Sequence, residues 1–140
     1  MIREYNETDL DSILRIWLET NISAHDFIDE DYWRANYDQV RQMMPKATLY
    51  VYEEDTIKGF AGLSGNYIAG IFVESNSQSK GIGKALLEHL KKRNKELILH
   101  VYNKNRRAVR FYQREGFVIE NKQIDKNTNE IELVMQWMER

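Results

Sequence analysis

The segment Gln78-Ser79-Lys80-Gly81-Ile82-Gly83-Lys84 restricts the fold of this chain more than any other. It follows an apolar run, Tyr67 to Val73, and opens into a helical pattern, Ala85-Leu86-Leu87-Glu88-His89-Leu90. A strand, a short glycine loop and a helix start together form an anion site made of backbone amides. The first helical turn has N–H groups without partners and carries the positive end of the macrodipole. Glycine has no Cβ to keep a phosphate away from those amides. Lys80 and Lys84 put cations where the dipole opposes them, and a bound anion would offset that. The same residues also suit a plain tight connection with its lysines in solvent, since a glycine motif this short fits either role. It is not a Walker loop, because no Gly-Lys-Ser/Thr follows four spacer residues. It is not the dinucleotide fingerprint either, because the third glycine of that pattern falls at Leu86.

With 140 residues, one domain spanning 1–140 is expected. An apolar fraction of 42% and an aromatic fraction of 11% suffice for a core. A net charge of -2 gives no reason to expect nucleic acid as a partner. The chain has no cysteine, which excludes a disulfide scaffold and a cysteine nucleophile. The start, Met1-Ile2-Arg3-Glu4-Tyr5, lacks the apolar centre of a signal peptide, and no apolar run approaches membrane-spanning length. A cytoplasmic protein without a membrane partner is expected. No group of residues suggests a metal site.

Periodicity orders the elements. Ile2 to Tyr5 reads as a short strand. Thr8, with Asp11 three residues on, resembles a capping box at the start of a helix. That helix carries Leu10, Ile13, Leu14, Trp17 and Leu18 on one face. Asp29 suits the cap of a second helix whose apolar face is Trp33, Tyr37, Val40 and Met44, and Pro45 stops it. Strands follow over Thr48 to Tyr52, Ile57 to Leu63, and Tyr67 to Val73. A helix runs from about Gly81 to Asn94, then a strand over Leu97 to Tyr102. Asn105 caps the next helix and Gly116 closes it. Phe117 to Lys122 and Glu130 to Trp137 read as a final hairpin. The order β-α-α-β-β-β-α-β-α-β-β predicts an α/β fold with a mixed sheet and helices on both faces.

Two motifs lie in this frame. Gln78, Gly81 and Gly83 fit Gln/Arg-x-x-Gly-x-Gly/Ala after a strand. Asn105, Ala108, Phe111, Tyr112, Gly116 and Phe117 fit Asn-x-x-Ala-x-x-Phe-Tyr-x-x-x-Gly-Phe. In these motifs, their order and their element pattern, Ile57 to Phe117 resembles the GCN5-related N-acetyltransferases. The sheet of such a protein is mixed and mostly antiparallel. Ser79 is a departure, since many relatives have glycine there; its backbone amide is still available.

The resemblance implies acetyl-coenzyme A as donor and a primary amine as acceptor: a small amine, a protein lysine or a protein N-terminus. Direct attack would pass through a tetrahedral intermediate. Gln78, Ser79, Lys80, Gly81, Ile82, Gly83 and Lys84 would hold the pyrophosphate. The backbone of Ile71, Phe72 and Val73 would offer hydrogen bonds to the pantetheine arm, in a slot where that strand splays from Leu97 to Tyr102. Asn105 would bond the arm near the thioester while also capping its helix. Tyr112 would give a proton to the leaving thiolate, or else serve as a core aromatic. For acceptor and base, His25 with Phe27 beside it, His100 and Glu74 are candidates, each with an ordinary structural role open to it; His89 is expected at the surface. Trp17, Trp33 and Tyr67 are further aromatics for the acceptor pocket, or core. A catalytically silent acyl-coenzyme A-binding module is the alternative activity, and monomer and homodimer both remain open.

Overall fold

The computed structural model describes residues 1–140. Its strands are β1 (Ile2–Glu4), β2 (Thr48–Glu54), β3 (Thr56–Ser64), β4 (Tyr67–Val73), β5 (Glu96–Tyr102), β6 (Val118–Asp125) and β7 (Glu130–Met138). Its helices are α1 (Leu10–Ala24), α2 (Glu30–Ala35), α3 (Tyr37–Met43), α4 (Ile82–Lys91) and α5 (Arg106–Arg114). The strands form one seven-stranded sheet in the order β1-β2-β3-β4-β5-β7-β6. Every neighbouring pair is antiparallel except β4 and β5. The expected mixed, mostly antiparallel sheet is therefore present.

Alternation along the strands gives each face its own core. Leu49, Val51, Ile57 and Phe60 pack under Ile13, Ile16 and Trp17 of α1 and Trp33 of α2. Ala61, Leu63, Ile68, Leu97, Leu99, Val101, Leu133 and Met135 pack under Leu86, Leu87 and Leu90 of α4 and Val109 and Tyr112 of α5. Helices thus cover both faces, and the second core joins β3 and β4 to β5 and β7.

Two helix starts differ from the sequence expectation. A 3-10 turn, Glu7–Asp9, precedes α1, and the capping box lies two residues earlier than Thr8/Asp11. Asn6 Oδ1 accepts from the Thr8 amide at 3.1 Å, and Asp9 Oδ2 accepts from the Asn6 amide at 2.9 Å. Asp9 is buried because Arg3 grips both its oxygens at 2.9 Å. The guanidinium holds the Asp9 carboxyl below the usual range. The second helix is two, broken at Asn36. There the Asn36 side-chain amide donates to the Tyr32 carbonyl at 2.6 Å, in competition with the helical ladder. Asp29 caps α2 as expected, accepting from the Asp31 amide at 2.9 Å.

One irregularity positions the site. Pairing of β3 with β4 runs Gly62 to Gly70 and then Leu63 to Ile68, so Ala69 is bulged out. Pairing of β4 with β5 is confined to Tyr67–Ile98 and Ile68–Leu99. Beyond the bulge the two strands part, and the splay expected from the family resemblance is present.

Candidate active site

The parting strands open a cleft of about 1290 Å³ that runs between α4 and α5 and reaches Thr20, Asn21 and His25 at the end of α1. Ile71, Phe72 and Val73 form one wall. Their other backbone edge is paired with β3 at Ala61, Phe60 and Gly59, and the edge toward β5 has no strand partner. A polar chain laid along that edge would complete a ladder. Val73 closes the row, because its carbonyl accepts from Gln78 Nε2 at 3.0 Å.

The glycine loop forms the cleft's end. Gly81, with φ 85, is the N-cap of α4 in the left-handed region, where glycine is favoured. The first amide to bond back is that of Ala85, to the Gly81 carbonyl at 3.0 Å. The preceding amides therefore face the opening with the helix dipole behind them. Ser79 shares the left-handed region at φ 64, which costs a side-chain-bearing residue about 1 kcal/mol or more. Arg107 from α5 holds this loop. It donates to Gln78 Oε1 and to Ser79 Oγ, both at 2.9 Å.

The opposite wall is α5 and the residues before it. Lys104, Arg106, Arg107, Arg110 and Arg114 line it together with Lys84 of α4, and Glu115 is the one carboxylate among the lining residues. These arginines lie beyond the expected donor set. Their signal was in the sequence: positions 106, 110 and 114 recur every four residues on a helix that is otherwise apolar at Val109 and Tyr112. An open backbone edge, a ring of free amides and a basic wall fit a long ligand with a hydrogen-bonding arm and several phosphates.

Asn105 lines the cleft at the start of α5. Its Oδ1 accepts from the Ala108 amide at 3.3 Å, the expected cap, and its Nδ2 lies 3.3 Å from His25 Nε2. His25 ends α1, its ring stacked on Trp33 with centroids 5.1 Å apart and set edge-on to Phe27 and Tyr102. Burial pushes the imidazole below its ordinary pKa of 6.5, so it is neutral at pH 7.

Tyr112 is 8% exposed and sits among Phe111, Phe117 and the larger core. Its side chain lines the cleft. Burial, and next the Tyr67 phenol, push its pKa far above the ordinary 10. The phenol keeps its proton at neutral pH.

The structure thus brings Ile71, Phe72, Val73, Gln78, Ser79, Gly81, Ile82, Gly83, Lys84, Asn105, Tyr112 and His25 to one cleft. It does not bring Lys80, Phe27 or His100 to its wall. Lys80 borders a smaller hollow with Glu54 and Lys58. Phe27 packs on His25 and Tyr102. His100 stands on the other face of β5, edge-on to Tyr67 at 5.2 Å. Glu74 is held by Lys58 and Arg15, each at 3.6 Å, and also lies off the wall. His89 is not a free surface residue: its ring packs edge-on to Tyr50 at 4.5 Å. No group of acids and histidines in the structure could hold a metal ion, and no helix is long and apolar enough to cross a membrane.

A family model described as "Acetyltransferase (GNAT) domain" matches residues 21–137. The chain is 37% identical to peptidyl-lysine N-acetyltransferase YiaC of Escherichia coli (strain K12), over 98% of this chain and 96% of that one. The solution structure of apo-form YjaB from Escherichia coli is similar at TM-score 0.87 and 28% identity, covering 100% of this chain and 98% of that one. A candidate streptothricin acetyltransferase from Bacillus anthracis, solved in complex with acetyl coenzyme A, matches at TM-score 0.61 and 25% identity, covering 67% of this chain and 63% of that one. The cleft fits that co-substrate, and the chain belongs to the GCN5-related N-acetyltransferase family, as an enzyme that moves the acetyl group of acetyl-coenzyme A to an amine.

Proposed function

We propose that the acceptor is the side-chain amine of a lysine in a peptide or protein. The donor would lie with its pyrophosphate on the amides of Gln78 to Lys84 and its arm along Ile71 to Val73. Arg107, Arg110 and Arg114 are within the wall that would meet its remaining phosphate charge. Asn105 would bond the arm near the thioester through whichever amide atom its cap and His25 leave free.

The observation that carries the reading is Tyr112: a buried phenol lining the cleft where β4 and β5 part. The acceptor nitrogen forms a bond to the acetyl carbon through a tetrahedral intermediate, and the carbon–sulfur bond breaks. The departing thiolate needs a proton. A free thiol has a pKa near 8.5, so a phenol would give that proton up reluctantly in water. In a desolvated cleft the thiolate is the stronger base, and Tyr112 is the donor within reach. The lysine acceptor draws support from the two Escherichia coli relatives, both named peptidyl-lysine N-acetyltransferases. A chain without cysteine acting as one domain also suits the reducing cytoplasm.

Thiol release from acetyl-coenzyme A is the test, with three acceptors compared. They are a peptide with a blocked N-terminus and one lysine, a lysine-free peptide with a free N-terminus, and a small diamine. Preference for the first is expected. Transfer to either of the others alone overturns the lysine reading.

A further inference from the structure

The donor cleft is a poor entrance for a lysine. Its wall carries Lys84, Lys104, Arg106, Arg107, Arg110 and Arg114, and an ammonium group would be repelled there. The other face of the same β4–β5 seam has the opposite character. Tyr67 begins β4 at the closed end of the gap, opposite Ile98. On β5, Ile98, His100 and Tyr102 alternate onto that face, and Tyr102 stands directly opposite Glu132 of β7.

Glu132 is unusual among the shielded acids. Asp9, Glu74, Glu115, Glu130 and Glu132 are the ion-paired carboxylates whose side chains are under 20% exposed. The first four each hold a lysine or arginine. Glu132 has His100 Nδ1 at 3.6 Å and accepts from Gln123 Nε2 at 2.7 Å, and no permanent cation reaches it. A half-buried carboxylate without a fixed cation is a place for a visiting one. Tyr67 ties this carboxylate to the chemistry. Its ring stands edge-on to His100 at 5.2 Å. Glu132 is the charge that raises the Tyr67 pKa after burial, and Tyr67 in turn is the group that acts on Tyr112.

We propose that Glu132, framed by Tyr67 and His100, receives the acceptor's ammonium group on the face of the sheet away from α4 and α5, which makes Glu132 a substrate-binding residue and His100 its positioning residue. This rests on the lysine reading above. The ammonium sheds one proton to the Glu132–His100 pair and from there to solvent. The neutral nitrogen then bonds to the acetyl carbon, the carbon–sulfur bond breaks, and the second nitrogen proton reaches sulfur by way of Tyr112. The net products are the acetamide, the thiol and one released proton. The other titratable groups facing this pair are Tyr102 and Asp125, which are hydrogen-bonded to one another at 2.6 Å, and Tyr32 of α2.

The experiment is steady-state transfer to the blocked lysine peptide by wild type, Glu132→Gln, Glu132→Asp and His100→Gln, with acetyl-coenzyme A affinity measured for each by thermal shift. Loss of one charged hydrogen bond predicts a KM for peptide raised about 10- to 100-fold in Glu132→Gln. The thermal shift with acetyl-coenzyme A should stay at the wild-type value, and Glu132→Asp should recover most of the peptide KM. His100→Gln should move the acidic limb of the kcat/KM profile with less change in peptide KM. An unchanged peptide KM in Glu132→Gln, while wild type transfers normally, overturns this inference and leaves the lysine reading standing. No transfer by wild type to any lysine peptide, with the acetyl-coenzyme A shift intact, overturns the lysine reading and this inference with it. A Glu132→Gln protein that no longer shifts with donor is misfolded, and Glu132→Ala then takes its place: a raised peptide KM with the donor shift intact supports the assignment, and a wild-type peptide KM overturns it.

Discussion

The two faces of the β4–β5 seam are built by different means. The donor side is made of backbone: an open strand edge, a glycine loop and a helix start, trimmed with arginines from one helix face. The side proposed for the acceptor is made of side chains from β4, β5 and β7 that meet only in the fold, Tyr67 edge-on to His100 and His100 3.6 Å from Glu132, with His25 at the end of α1 set edge-on to Tyr102 beside them. Backbone sites depend on a few conformations that particular residues permit, and side-chain sites depend on packing. The first should be sensitive to single backbone-altering changes, the second to changes in burial and charge.

Tyr112→Phe tests whether the two sides meet at one hydroxyl. Turnover at saturating substrates should fall by about one to three orders of magnitude, with little change in donor affinity. Wild-type turnover would separate the cleft from the chemistry. Next in size is Gly81→Ala. An alanine Cβ there has open space but must take φ 85, at about 1–2 kcal/mol. The acetyl-coenzyme A KM should rise about tenfold. Gly83→Ala is its control. A Cβ at Gly83 meets Phe111 Cζ at 3.7 Å, ordinary contact, so donor KM should stay within about twofold while helix propensity gains up to about 1 kcal/mol. Equal effects at the two positions would mean that conformation is not what the loop requires.

Arg107→Ala should raise donor KM about three- to tenfold through loss of the bonds to Gln78 and Ser79. On a Ser79→Gly background the loop takes its left-handed turn without strain, so the Arg107→Ala effect should shrink. Additive effects would show that Arg107 acts on the donor alone. The smallest effect concerns the side-chain face. Burial holds His25 below 6.5, so the unfolded chain takes up a proton near that pH which the folded chain refuses. Stability is then complete above about pH 6.5 and declines as pH falls through it. His25→Gln should flatten the decline in Tm between pH 7 and 5, with His89, also lowered by burial, keeping its share. An unaltered slope would show that His25 is solvated in the folded state.

What was legible in the sequence follows the same division. Tyr67–Val73 could be bounded from its apolar run, and Asn105 and Gly116 from cap chemistry, because each signal is local. The break at Asn36 was not, because Trp33, Tyr37 and Val40 keep helical spacing across it; the decisive Asn36–Tyr32 bond is one polar side chain choosing backbone over solvent. The cap at Asn6 was missed for a similar reason: Asn6/Asp9 and Thr8/Asp11 are overlapping pairs of equal quality, and the choice depends on Arg3 gripping Asp9. In the site, the loop and Tyr112 carry family motifs. Glu132 carries none. Its interest lies in the lysine or arginine it lacks, and a partner's absence is visible only after folding.

The two-pair contact between β4 and β5 also has a mechanical meaning. The sheet is two rafts, β1–β4 and β5–β7, hinged along a short seam. On one face the α4–α5 core crosses the seam; on the other the smaller cluster belongs to the first raft, and Tyr102 meets it only at its margin. A donor arm lying in the seam would act as the missing length of strand. Binding would then weld two cooperative units into one, and amide exchange at Ile71 to Val73 and Val101 to Tyr102 should slow together when acetyl-coenzyme A is added.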